Sequence, residues 1–86
     1  MHEFSLINGL MRKINAIAQE QGARRVVAVK VTLGALSHIS ADHFREHFTA
    51  ATKGTIAEDA KLEVETSRDE CNPCAQEILL ESLEVE

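Results

Sequence analysis

The chain opens Met1-His2-Glu3, and a free amino terminus followed at once by histidine is a chelate for a square-planar metal. The terminal amine, the His2 amide nitrogen once a metal has displaced its proton, and the nearer ring nitrogen of the same imidazole close fused rings in one plane. Three nitrogens in a tetragonal arrangement suit Cu(II) or Ni(II). The fourth position is open to the Glu3 amide, the Glu3 carboxylate or water. Such a site requires Met1 to be retained with its amine free. A bulky His2 disfavours methionine removal, so the expectation is a retained Met1 and a site that any N-terminal tag destroys. The plain alternative is that His2 is a solvated terminal residue.

The other residues with metal or nucleophile chemistry are Cys71 and Cys74, the only two cysteines, and three further histidines, His38, His43 and His47. The start of the chain has neither the basic n-region nor the apolar h-region of a leader, and no run is long enough to span a bilayer. The chain therefore reads as cytoplasmic. There thiols stay reduced, and Cys71-Asn72-Pro73-Cys74 is a metal-binding or redox pair rather than a structural disulfide. A redox pair belongs at a helix start, where the dipole stabilises the thiolate. Asp69, Glu70 and Glu77 surround this one, and a strand follows it, which argues against an activated thiol. Fast alkylation would mark the enzyme, and protection by added zinc the metal site. His43 and His47 stand four apart, a spacing that can hold one ion on a helix. They also flank a phenylalanine stripe with no third ligand nearby, and His38 reads as a loop histidine.

No nucleophile with a paired base, phosphate-binding glycine loop or converging pair of carboxylates is present. Ser5, Ser37, Ser40 and Ser82 read as turn, cap or surface residues, so the chain is not expected to be an enzyme. With 86 residues it makes one small domain, near the lower size limit for unaided folding. Its formal net charge of -5 and scattered bases argue against a nucleic-acid or anionic-membrane partner, which would need a basic face.

The elements that must position these groups follow from periodicity. Phe4, Ile7, Leu10, Met11, Ile14, Ile17 and Ala18 recur at three- and four-residue steps, predicting an amphipathic helix from Phe4 to about Gln21, with Gly22 as its stop. Met1 to Glu3 then sit at its amino end. Ala23 to Leu33 alternates as a strand, with Val27, Val29, Val31 and Leu33 on the buried face and Val26, Ala28, Lys30 and Thr32 on the other. A second helix starts near Ser40 as cap, buries Phe44, Phe48 and Ala51, and closes at Gly54. Lys61 to Ser67 is a short strand with Leu62 and Val64 inward. The last strand, Ile78 to Val85, places Leu79, Leu83 and Val85 on one face and Ile78 and Leu80 on the other. The fold class is α+β, with two helices packed on one face of a small three-stranded sheet in the order αβαβ-loop-β. Val26, Ala28, Ile78 and Leu80 would then form an apolar patch on the far face, pointing to self-association or a partner.

Several separated pieces fit one family. Met1-His2-Glu3 with Ser5-Leu6, Leu33-Gly34-Ala35-Leu36-Ser37, the Phe44 and Phe48 helix, Gly54-Thr55 leading to Ala60-Lys61-Leu62, and Glu81-Ser82-Leu83-Glu84-Val85-Glu86 together resemble the HypA/HybF hydrogenase maturation factors over nearly the whole chain. The resemblance implies a metallochaperone that delivers nickel to the [NiFe] hydrogenase large subunit, and in some bacteria to urease, with the GTPase HypB as partner. It implies that His2 is the nickel ligand, with the Met1 amine and the amides of His2 and Glu3 completing the site.

One departure is large. The family carries two Cys-x-x-Cys pairs in a zinc-binding extension that interrupts the sheet, and four thiolates close a tetrahedral site. Only Cys71 and Cys74 remain here, which leaves an incomplete site. Three outcomes are open: no zinc, a site completed by histidines such as His38, or one zinc shared by Cys71 and Cys74 of two chains in a symmetric dimer. The resulting division is a nickel-binding domain over residues 1–67, a remnant Cys-x-x-Cys loop over 68–77, and the last strand of the nickel-binding domain over 78–86. An alternative reading is an adaptor that keeps the fold and partner surface but has lost metal delivery.

Overall fold

The computed structural model describes residues 2–37, 39–71 and 76–86, with side chains from Ser5 onward. In chain order it contains α1 (His2–Glu20), β1 (Val26–Leu33), α2 (Ala41–Thr52), β2 (Lys61–Thr66) and β3 (Ile78–Val85). Helix α1 begins two residues before the expected Phe4. Neither His2 nor Glu3 breaks a helix, and an acidic residue in the first turn complements the dipole. Its stripe of Ile7, Leu10, Met11, Ile14 and Ala18 is buried. Gly22 takes the left-handed conformation (φ +63°) just past the last turn. Its amide donates to the Gln19 carbonyl at 3.1 Å and that of Ala23 to the Ala18 carbonyl at 3.0 Å. This Schellman pair satisfies carbonyls that the helix end would otherwise leave open.

Strand β1 is central, in the order β2-β1-β3. It runs parallel to β2 and antiparallel to β3, so α2 is the crossover between the parallel pair. The register with β3 slips twice. Val26 faces Val85 and Ala28 faces Glu84, so Val27 is an extra residue on β1; Lys30 faces Ser82 and Val31 faces Leu80, so Glu81 is an extra residue on β3. Each bulge inverts the facing of everything beyond it.

The expected facing of both strands is corrected by these bulges. Val26 is only 1% exposed and lies in the core, whereas Val27 is 36% exposed. Ile78 and Leu80 pack against the core together with Leu83 and Val85, and Leu79 pairs with Thr32 on the opposite face. The far face of the sheet is therefore mainly polar, with Ala28 and Leu79 as apolar residues on it. A shallow hollow there is lined by residues including Lys30, Lys61, Glu63, Ser82 and Glu84, and Lys30 Nζ lies 3.5 Å from Glu65 Oε1. Of the expected apolar patch only Ala28 remains, and the argument for self-association that rested on it falls.

Helix α2 begins at its expected cap: Ser40 Oγ accepts the His43 amide at 3.1 Å. Its buried row is Phe44, Phe48 and Thr52, while Ala51, expected inward, is exposed. The four-residue step from Phe44 through Phe48 continues to residue 52. Burial of a hydroxyl is tolerated because Thr52 Oγ1 donates to the Phe48 carbonyl at 2.9 Å. Both helices pack on one face of the sheet, and their stripes meet Val26, Val29, Val31 and Leu33 of β1 in a single core.

Candidate metal centre

The amino-terminal tripeptide enters the fold through α1. Met1 lies outside the described residues, and His2 and Glu3 are described by their backbone as the first residues of the helix. The first four amides of an α-helix have no acceptor within it, so the nitrogens a planar chelate would use are not those of the helical ladder. Helical ψ of about -42° also keeps consecutive backbone nitrogens on the same side of each residue, close to the arrangement a five-membered chelate ring requires. The helix start is thus compatible with binding through backbone nitrogens. The positive end of the dipole opposes a cation there, and loss of two amide protons would offset it.

The topology brings that helix end to the same pole as the cysteine segment. Helices α1 and α2 both run opposite to β1, so both begin near its carboxyl end. Two hydrogen bonds fix the residues that bracket the cysteines at this end. The Ser67 amide donates to the Leu33 carbonyl at 2.9 Å, and the Gly34 amide to the Glu77 carbonyl at 2.9 Å. A groove of about 270 Å³ joins the two, lined by Ser5, Leu6 and Gly9 of α1 and by Glu77 and Ile78 at the start of β3. Residues 68 to 73 positions apart in sequence share this wall, and nothing in their local patterns announces it.

Cys71 is exposed. Its amide donates to Asp69 Oδ1 at 3.0 Å, and the Asp69 amide donates to Ser67 Oγ at 3.2 Å, so the chain turns tightly just after β2. Cys74 and His38 lie outside the described residues. Among the described residues no group of three or more His, Cys, Asp or Glu side chains is placed to hold a metal ion. A four-ligand structural zinc site within one chain is therefore not matched by the residues described.

His43 and His47 lie on the first half of α2. Their ring centroids are 4.7 Å apart with planes tilted by 49°, and His43 is exposed while His47 is half-buried. On the other flank of α2, Arg45 donates to the Leu62 carbonyl at 3.0 Å and ties the helix to the outer strand β2. Among the described residues no helix is long and apolar enough to cross a membrane.

Comparison with known proteins bears on the whole chain. A family model described as "Hydrogenase/urease nickel incorporation, metallochaperone, hypA" matches residues 1–85. The chain is 38% identical over 80 residues to the hydrogenase maturation factor HypA of Archaeoglobus fulgidus, covering 91% of this chain and 73% of that protein. It is 36% identical over 83 residues to that of Methylocella silvestris, covering 94% and 74%. Its fold is similar to the solution structure of the Ni metallochaperone HypA from Helicobacter pylori, with a TM-score of 0.79 at 20% identity over 99% of this chain and 97% of that one. A second solution structure of a HypA protein gives a TM-score of 0.74 at 19% identity, over 100% and 97%.

Proposed function

This chain belongs to the HypA family of hydrogenase/urease nickel-incorporation metallochaperones, and on that premise we propose that it carries Ni(II) at its amino terminus for maturation of a [NiFe] hydrogenase. The observation that supports this most directly is that the family match begins at residue 1 and runs to residue 85, so that it takes in Met1-His2-Glu3. Ligands would be the Met1 amine, the amide and ring nitrogens of His2, and the Glu3 amide. A planar, terminal site of this kind gives up its ion by ligand exchange, since one face is open to an acceptor offering better ligands. The chain moves a metal and makes or breaks no covalent bond in a substrate, so the role is not enzymatic. Its setting is the cytoplasm, its partners are the GTPase HypB and the hydrogenase large subunit, and urease is a further acceptor class.

Residues 1–67 with 78–86 form the nickel-binding unit in this reading, and 68–77 the remnant of a zinc module. Zinc, where it binds, is shared by Cys71 and Cys74 of two chains, because four thiolates close the tetrahedron that two leave open. Native mass spectrometry of untagged protein with both metals present tests these statements together. The expected result is one nickel at the amino terminus of each chain and a zinc-dependent dimer. In a nickel titration His2→Ala should lose that equivalent. An adaptor without metal delivery would bind the same amount before and after the substitution, and that outcome would overturn the reading.

A further inference from the structure

Helix α2 carries a pair of histidines in ring contact that the proposed function leaves unassigned. Residues four apart rise about 6 Å along a helix axis, yet the His43 and His47 rings converge to a centroid separation of 4.7 Å. Two imidazoles on one ion, each with a metal–nitrogen bond of about 2.0–2.1 Å and a centroid about 1.1 Å further on, have centroids roughly 4.5 Å apart at a right angle and roughly 5.2 Å apart at the tetrahedral angle. The observed separation falls between the two. The backbone beneath the pair is held by the Ser40 cap, which accepts the His43 amide, and by the burial of Phe44 and Phe48 on the adjoining face. His43 is exposed, so the pair can be reached by an ion from solution.

We propose that His43 and His47 form a second site, facing solvent, for a late divalent transition metal such as Ni(II), Cu(II) or Zn(II). Imidazole nitrogen suits these ions, and a site reached from solvent fills and empties readily. Because α2 begins at the same pole as α1, the site lies on the end of the molecule where the amino terminus and the cysteine segment enter the fold. The inference does not depend on the amino-terminal site, and its test removes that site.

The probe is Ni(II) alone, titrated into the full-length chain carrying His2→Ala, Cys71→Ser and Cys74→Ser, with binding read by calorimetry. Zn(II) in parallel is read by the ring signals of His43 and His47 in nuclear magnetic resonance spectra. One equivalent of metal should bind, and both sets of ring signals should move together. His43→Gln and His47→Gln should each weaken binding at least tenfold, and the double substitution little further, because the chelate needs both rings. Circular dichroism shows whether each variant is folded. Should one not fold, slowing of diethylpyrocarbonate modification at both histidines by Zn(II) serves in the parent instead. Ring signals that stay in place, or single variants that bind as the parent does, would overturn the proposal. A drop of one nickel equivalent between the unsubstituted chain and His2→Ala bears only on the amino-terminal site, whereas absence of all nickel binding in His2→Ala would overturn the proposal.

Discussion

His2 and Ser40 show how much a single position can carry in a chain this short. The ligands proposed at the amino terminus are nitrogens of one backbone plus one ring, so the proposed site needs the Met1 amine free. Acetylating the Met1 amine should abolish tight nickel binding at this site while leaving the chain folded, because it removes the ligand that opens the chelate; nickel titration and a thermal melt on the same sample check both. Ser40 supplies one hydrogen bond to the first turn of α2, and Ser40→Ala should cost about 1 kcal/mol in chemical denaturation. Phe44 is 0% exposed, and Phe44→Ala should cost roughly 3–5 kcal/mol. For a domain near the lower limit of core size that is enough to unfold much of the population. A smaller loss would mean that the α2 stripe is not central to the core.

At the level of elements, the two bulges decide what the sheet presents. Strict alternation puts Val27 inside and Val26 outside, and the paired strands reverse this. The two adjacent valines therefore separate the readings by experiment. Val26→Asp buries an unpaired carboxylate and should prevent folding, at a cost well above about 3 kcal/mol. Val27→Asp should cost about 1 kcal/mol or less, mainly through strand propensity. Thermal melts of both variants decide the matter, and the opposite ranking would place the bulge elsewhere. The helices needed no such correction at their cores, because a helix closes its own hydrogen bonds and its facing is fixed by residues within one turn of each other. Among the described side chains Ala51, beside the buried Thr52, is exposed and Ile17 is only half-buried, while the side chain of Phe4 lies outside the described residues.

At the scale of the whole molecule, the cysteine segment is an insertion between two strands that both flank β1. Ser67 and Glu77 are anchored to Leu33 and Gly34, and the strands they adjoin are two sheet spacings apart, about 9.6 Å. Four residues of extended chain reach about 13 Å. Replacing residues 69–76 by a four-residue glycine-serine bridge should thus retain the fold and the nickel equivalent while removing zinc-dependent dimerisation. Circular dichroism, nickel titration and native mass spectrometry on that protein test the division into a nickel-binding unit and a dispensable loop. Failure to fold would show that the segment supports the pole rather than hanging from it.

The residue pattern by itself determined the five elements, the apolar stripes of both helices, the Ser40 cap, the Gly22 stop and the chemistry open to Met1-His2-Glu3. Each of these depends on atoms within a few positions of one another, so composition and spacing carry them. Only the tertiary structure decided which face of β1 and β3 lies in the core, the order β2-β1-β3, and the meeting of the α1 start, the α2 start and the residues that bracket the cysteines at one pole. A bulge exists only relative to a partner strand, and a pole only relative to the direction of the elements around it. Those relations are set by pairing across as many as 59 positions, from Val26 to Val85, a distance at which no local signal survives.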